Sequence, residues 1–479
     1  MIQTDVLVIG AGAVGCAIAR ELSRYQVRVL VVDKNEDVGG DASKSNSAII
    51  HTGYDAAPGT LESELVVASN PMYDQITREL DVPFKRIGAI LPAINQEQLE
   101  KLPALKEKAF KNRVYDIEYM SREKILEIEP NLNPDVLGGL YIPRESIIDP
   151  FLFVVGMAEN AQQNGVDFLL NAEVTDIMTE NGRVIGARTT AGDISATYII
   201  NAAALHCDDI AKMVGKGDYT VVPRKGQFYI LDKNTECQVS HIVLPIPTKT
   251  TKGKLMCPTI DGNMLIGPTA EDQDDKRDKS TTAEGLDSIA ADVRLLVPNV
   301  RLGDSIAQFA GLRPNRNPEG LRVDTYEDLA GYVNLSGVRS TGLTNSVGLG
   351  VYVSQTLFAM GMPCEPKPDF NPIRKGIPCV REMTHEQRDA LIRQDARFGH
   401  IVCRCETVTE GEIVAAIHRP IPALSMDAVK RRLRAGMGRC QGGFCGPQVI
   451  ELLSRECGIA AKKVTKMGGK SYMVTGNIR

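Results

Sequence analysis

Four cysteines near the end of the chain have the most restricted chemistry in the sequence. Cys403 and Cys405 form a C-x-C pair and Cys440 and Cys445 a C-x4-C pair, with 34 residues between them. Clustered thiolates are soft ligands suited to zinc or an iron–sulfur cluster, and zinc sites favour C-x2–4-C spacings over a tight C-x-C. A second signature, Gly10-Ala11-Gly12-Ala13-Val14-Gly15, stands at the opposite end in G-x-G-x-x-G spacing. The β-branched run 5–9 precedes it, helix formers over 16–22 follow it, and a second apolar run, 27–32, ends in Asp33, eighteen residues after Gly15. Gly10 turns the chain, Gly12 lets the backbone approach a pyrophosphate and Gly15 lets helix and strand pack closely. Asp33 can accept from a ribose hydroxyl. Strand, loop, helix, strand and acid in register give a dinucleotide site, without deciding between a flavin and a nicotinamide. His51 titrates in the range for proton transfer, or can hydrogen-bond a cofactor. Arg313, with Arg316 close behind, offers bidentate recognition of phosphate or carboxylate.

These residues need a large scaffold, and 479 residues allow two or three domains. Composition is that of a globular protein, 43% hydrophobic and 24% charged. A net charge of −5 without a long basic run argues against nucleic acid as the main partner. No apolar stretch approaches membrane-spanning length, and the N-terminus enters a strand without a signal pattern, so a cytoplasmic protein is expected. The other seven cysteines, Cys16, Cys207, Cys237, Cys257, Cys364, Cys379 and Cys457, are scattered singly and read as small hydrophobes. A helix is expected around Glu62–Leu80, a strand over 86–93, an amphipathic stretch over 99–113 and a helix opening at Asp149-Pro150. Asn181-Gly182 marks a hairpin, 221–230 a strand and 258–271 a second hairpin. Arg313 is read on a stiff stretch flanked by Gly311 and Pro314, and 333–346 as a strand-loop-helix. Five prolines between 363 and 378 predict a semi-rigid linker, followed by a polar helix over 384–397. Thr409 with Glu412 forms a capping box, and 427–433 a further helix.

Taken with the glycine fingerprint, Ser45-Asn46-Ser47-Ala48-Ile49-Ile50-His51-Thr52-Gly53 resembles the FAD-binding segment of the D-amino-acid-oxidase superfamily. The likeness is to the branch holding the glycerol-3-phosphate and L-2-hydroxyglutarate dehydrogenases. The resemblance implies FAD, held by Gly10, Gly12, Ala13, Val14, Gly15, Asp33 and Lys34. Ser45, Asn46, Ser47, Val174 and Ala203 would join them, with Arg339, Thr341, Gly342, Leu343 and Thr344 against the flavin. His51 and Arg313 would serve catalysis, with His51, Lys225, Arg313 and Arg316 on a small anionic substrate. Two departures stand out: Asp33 where many FAD folds carry Glu, and Ala204 where the family usually has Gly. The second is expected to set the backbone slightly farther from the cofactor.

The run Gly436-Met437-Gly438-Arg439-Cys440-Gln441-Gly442-Gly443-Phe444-Cys445-Gly446-Pro447 resembles the bacterioferritin-associated-ferredoxin-like 2Fe-2S domain, which makes Cys403, Cys405, Cys440 and Cys445 its ligands. The implied fold class is α/β plus α. A Rossmann-like FAD-binding domain (about 1–60, 145–214 and 325–362) is interleaved with an α+β substrate domain (about 61–144 and 215–324). A linker over 363–399, a 2Fe-2S domain over 400–458 and a tail over 459–479 follow. This order resembles the catalytic subunits of anaerobic glycerol-3-phosphate dehydrogenases. It implies an FAD-dependent dehydrogenase oxidising sn-glycerol 3-phosphate and delivering electrons through the cluster to partner redox subunits, through which it could associate with a membrane surface. A 2-hydroxy acid, an amino or imino acid, or a non-catalytic electron-transfer role are the alternatives.

Overall fold

The computed structural model describes residues 2–246 and 253–476; the last three residues of the expected tail lie outside them. Ile2–Ile9 forms the predicted strand, buried throughout Val6–Ile9 as a β-branched run flanked on both sides by strands requires. It pairs in parallel with Val29–Val32 and with Gly192–Asn201. The whole sheet runs Val174–Glu180, Arg183–Thr189, Leu329–Ser336, Gly192–Asn201, Ile2–Ile9, Val29–Val32, Asp167–Leu169, with Arg322–Tyr326 beside Leu329–Ser336. Helices Ala13–Leu22, Pro150–Gln163 and Gly342–Ala359 share one core, through Ile18, Leu22, Val154, Met157, Val353 and Leu357. Asp149 and Pro150 open their helix as read: the Asp149 carboxylate accepts from the N–H groups of Phe151 (2.9 Å) and Leu152 (2.8 Å). Asn181 and Gly182 both take positive φ, 47° and 72°, as a two-residue hairpin turn requires.

A second, nine-stranded sheet draws strands from both insertions, among them Ala89–Ala93 and Gly138–Ile142 from the first and Thr220–Leu231 and Ser305–Asn317 from the second. Two expectations need refinement. Pro71 divides the expected 62–80 helix into Leu61–Ser69 and Tyr73–Leu80, and Gly88, at φ 71°, divides the expected strand into Phe84–Arg86 and Ala89–Ala93. A third is corrected. The stretch carrying Arg313 is part of a 13-residue strand, Ser305–Asn317, paired antiparallel with Thr220–Leu231. Arg224 stands opposite Arg313, and Lys225 opposite Leu312.

The C-terminal module has a hairpin, Ile401–Cys403 with Val408–Thr409, and helices Glu410–Ile417, Met426–Leu433 and Gly446–Cys457 around their own core. Its capping box forms, Thr409 Oγ1 accepting from the Glu412 N–H and Glu412 Oε2 from the Thr409 N–H. The proline-rich linker is pinned along the dinucleotide half: Gln26 N–H donates to the Glu365 carbonyl (2.8 Å) and Lys367 N–H to the Arg24 carbonyl (2.7 Å). The polar helix covers His385–Gln394, and Ala396–Gly399 continues as a 3-10 turn.

Three buried charge clusters join the module to the rest. Asp37 takes Arg431 and both guanidinium nitrogens of Arg432, Glu159 takes Arg374 and Arg419, and Glu406 takes Lys233, Arg381 and Arg434. Among the described residues no helix is long and apolar enough to cross a membrane.

At this junction, burial pushes the Asp149 carboxyl up to about 6, and the Asp261 charge adds to it. Because the unfolded carboxyl ionises first, near 3.8, stability falls as pH rises from about 4 to about 6 and stays lower above. Asp149→Asn keeps the capping oxygen without the charge. It is expected to be more stable than the parent at pH 7 by up to about 2–3 kcal/mol, with little difference at pH 4, as denaturant midpoints at the two pH values would measure.

Candidate functional site

The glycine loop admits no side chain at Gly10 or Gly15. A Cβ on Gly10, at φ 108°, would stand 2.6 Å from the Ala202 carbonyl oxygen, and one on Gly15 would fall 1.8 Å from the Gly10 oxygen. Gly12 caps the first helix without a side chain, the first turn holds no acid, and the Ala13 N–H donates to Ser43 Oγ at 2.9 Å. Asp33 lies against the loop, accepting from the N–H groups of Ala11 (2.7 Å) and Asn35 (2.8 Å). Asn46 shapes the facing loop, donating to the Ser43 carbonyl and accepting from the Ala48 N–H, both at 2.8 Å. Together these bound one end of a cavity of about 690 Å³ that Gly12, Ala13, Val14, Ser45, Asn46, Ser47, His51, Arg339, Gly342 and Leu343 line. The Gly342–Ala359 helix also starts at this cavity with no acid in its first turn. Two such helix starts suit an anionic dinucleotide.

Other expected contacts lie behind the walls. Thr341 donates to Glu62 (2.6 Å), Thr344 Oγ1 accepts from the His51 N–H (3.0 Å), and Ala203 is half-buried. Lys34 is exposed and Val174 packs into the core beneath the sheet; neither lines the cavity. Ala204 does line it, at φ 49°. It takes the left-handed turn a glycine would make, at a cost of about 1–2 kcal/mol.

On the far side the cavity meets the second sheet at Phe228, Leu255, Thr269 and Arg313. Among the described residues no carboxylate pairs with Arg313; its one hydrogen bond is Nη1 to the Thr269 carbonyl at 3.4 Å. Burial pushes the guanidinium down to about 10, and the Arg224 charge adds to this. Gly226 leaves the room it occupies, since a Cβ there would stand 2.6 Å from Arg313 Nη2. A cation so placed is an anion site in waiting.

Lys225 and Arg316, expected beside it, do not reach the cavity. Side chains alternate along a strand, and in this register both fall on the face opposite Arg313. Lys225 is buried and paired with Asp278 (2.5 Å), while Arg316 bonds Ser336 and the Pro318 carbonyl and lies over the Tyr219 ring. Alternation instead brings Arg224 to the cavity, tied to Asp272 at 2.7 and 2.9 Å. Arg224 was findable once 220–231 is read as a strand. His51 lines the cavity, and its Nδ1 stands 3.0 Å from Glu145 Oε2. Nothing in the local sequence pointed to Glu145.

In the module, Cys403 and Cys445 are buried, while Cys405 and Cys440 stand nearer the surface with sulfurs 3.6 Å apart. The Cys403 thiol is pulled down to about 6 by its hydrogen bond with Cys445 and by the Gly436 and Glu406 N–H groups, and Cys445 is pushed up in turn. The Phe444, Gly442 and Gly443 amides lower Cys440. Amides aimed at sulfur hold thiolates. Among the described residues no three metal-binding side chains converge on one metal position. Two thiol pairs suit a two-iron cluster, with two thiolates to each iron, better than a single tetrahedral ion.

A dinucleotide cradle opening on a cavity with His51 and Arg313, and a four-thiol module clamped beside it, define an oxidoreductase with a dinucleotide cofactor and an iron–sulfur centre. The chain belongs to the FAD dependent oxidoreductase family, whose model matches residues 5–356. Residues 401–455 match the BFD-like [2Fe-2S] binding domain. It is 43% identical over 474 residues to a glycerol 3-phosphate dehydrogenase of Caloramator mitchellensis, covering 98% of both chains. It is 25% identical to one of the subunits of the anaerobic glycerol-3-phosphate dehydrogenase of Escherichia coli K12, over 95% of this chain and 88% of that one. The solved L-alpha-glycerophosphate oxidase of Mycoplasma pneumoniae, with FAD bound, superposes with TM-score 0.74 and 29% identity, over 78% of this chain and 99% of that one. The protein is an FAD-dependent oxidoreductase, and FAD and a [2Fe-2S] cluster are its cofactors.

Anaerobically reconstituted protein is expected to hold about two irons per chain. Cys405→Ser is expected to lose the cluster absorbance and the EPR signal of the reduced state while keeping its FAD, which iron analysis and spectra of the same sample would check.

Proposed function

We propose that this chain oxidises the secondary alcohol of sn-glycerol 3-phosphate to dihydroxyacetone phosphate and hands the electrons, through its cluster, to a redox partner protein. The observation that carries the reading is the meeting of Arg313, unpaired among the described residues, and a cavity-facing His51 in one cavity, at the end of a dinucleotide cradle. The full-length similarity to a glycerol 3-phosphate dehydrogenase supports it. When bound, FAD would supply a two-electron acceptor for the C2 hydrogen and the cluster a one-electron outlet, which direct transfer to oxygen would not need.

The chain's own residues do the rest. Arg313 meets the phosphate, and Arg224 brings a second guanidinium to the same wall, held by Asp272. Two guanidiniums suit a phosphate dianion better than a single carboxylate. His51 accepts the hydroxyl proton at Nε2, the ring nitrogen not engaged by Glu145. Phe228, stacked on Phe309 with ring centroids 4.8 Å apart, and Leu255 give the cavity apolar wall.

Anaerobic addition of glycerol 3-phosphate to the fully loaded protein is expected to bleach the flavin absorbance. Bleaching only by a 2-hydroxy acid or an amino acid would replace the substrate, and no bleaching by any of them would favour a non-catalytic role. Arg313→Ala is expected to raise KM for glycerol 3-phosphate about 10–100-fold, the loss of a charge-assisted pair; an unchanged KM removes Arg313 from the substrate.

A further inference from the structure

Glu145 touches the cavity only through His51, and the way it is held dictates how. Ile49–Ile50 pairs antiparallel with Ser146–Ile148, Ile50 opposite Ser146, so Glu145 comes opposite His51 one step further on. The Glu145 side chain is fully buried. Its Oε1 accepts from the Thr52 backbone N–H (2.7 Å) and the Thr52 hydroxyl (3.0 Å), and its Oε2 faces His51 Nδ1 at 3.0 Å. The neighbouring Arg144 points to Asp116, and among the described residues no lysine or arginine pairs with Glu145. The His51 backbone is held on both sides, its N–H by Thr344 Oγ1 and its carbonyl by Asn70 Nδ2, each at 3.0 Å. The backbone is therefore fixed, and the ring on it is tied by its Nδ1 contact with Glu145.

Thr52 fills Oε1 with two donors, and with Glu145 ionised Oε2 has no proton to give; His51 Nδ1 is then the donor of this bond and carries the ring proton. Nε2 keeps its lone pair, and among the described residues it has no hydrogen-bond partner. We propose that Glu145 is a positioning residue. It locks His51 in the Nδ1–H tautomer with Nε2 bare toward the cavity, and it stabilises the imidazolium formed when Nε2 takes the substrate's hydroxyl proton. The inference rests on the reading of His51 as proton acceptor given above. The proton leaves the hydroxyl oxygen for Nε2 and the C2 hydrogen leaves with its electron pair, for which bound FAD would be the two-electron acceptor, so atoms and electrons balance across the step.

Thr52 makes the inference testable. Its backbone N–H can only donate, so in Glu145→Gln the amide oxygen must stay on the Thr52 side and the NH2 must face Nδ1. Nδ1 then becomes an acceptor, and the ring proton moves to Nε2, which can no longer take a proton. Holoenzyme with FAD and cluster is assayed with glycerol 3-phosphate and a one-electron dye. Glu145→Gln is expected to lower kcat about 10²–10⁴-fold, the scale seen when a carboxylate beside a catalytic imidazole becomes an amide. KM should stay within about threefold, since Arg313 is untouched.

Long-range ¹⁵N–¹H spectra, with His51 assigned by difference from His51→Asn, are expected to show Nδ1 protonated in the parent and Nε2 protonated in the variant. A parent His51 protonated at Nε2 overturns the inference, and this readout does not need Glu145→Gln to fold. Glu145→Gln at full rate while His51→Asn is impaired overturns the role of Glu145 alone. His51→Asn at full rate overturns the proton-acceptor reading beneath it.

Discussion

Asp37, on the loop that follows the second strand of the dinucleotide sheet, turns its carboxylate into the C-terminal module, where Arg431 and Arg432 close on it. All three side chains are almost fully buried, and the loop that carries Asp37 begins at Asp33 beside the glycine loop. A buried pair adds little net stability over an apolar contact, but removing one partner strands a charge, at a cost of about 3–5 kcal/mol. What such a pair provides is geometry, because few other dockings of module on domain satisfy three buried charges at once. Glu159 with Arg374 and Arg419, and Glu406 with Lys233, Arg381 and Arg434, repeat the device at two further points. The two redox centres thus belong to one body.

The third cluster links the cofactors' surroundings most directly. Glu406 follows Cys405 in the chain, and its partner Arg434 also reaches Asp261 and Asn263 at the turn of a hairpin. The strands leaving that turn are Leu255–Pro258 and Met264–Gly267. Their far ends, Leu255 and the Pro268–Ala270 loop, line the cavity beside Arg313. One two-stranded unit therefore carries cluster-loop contacts at one end and substrate-cavity wall at the other.

What was legible in the sequence was local. The glycine loop, Asp33, the Asp149-Pro150 start, the Asn181-Gly182 turn, the Thr409–Glu412 box and the four cysteines each declare themselves within a few residues, where sterics or ligand chemistry leave little choice. Arg313 was legible as chemistry but was read on the wrong kind of element. Taken only as a stiff stretch, 309–316 gave no reason to separate Arg313 from Arg316 or Lys225; as a strand, its alternation does so at once. Glu145, 94 residues from His51, and Arg432, 395 from Asp37, were not legible, since only folding brings them together. Their own neighbourhoods contain no signal, because a lone Glu or Arg is ordinarily a surface residue.

The central claim is that substrate electrons cross from the cavity into the module within this single chain. Its most direct test is EPR of the loaded protein frozen within a second of anaerobic mixing with excess glycerol 3-phosphate, with no partner present. The expected result is the signal of a reduced [2Fe-2S] cluster rising with the loss of flavin absorbance, and its absence in Cys405→Ser. Full flavin bleaching with the cluster left oxidised would contradict the claim, leaving the module a structural appendage to an enzyme that delivers its electrons elsewhere.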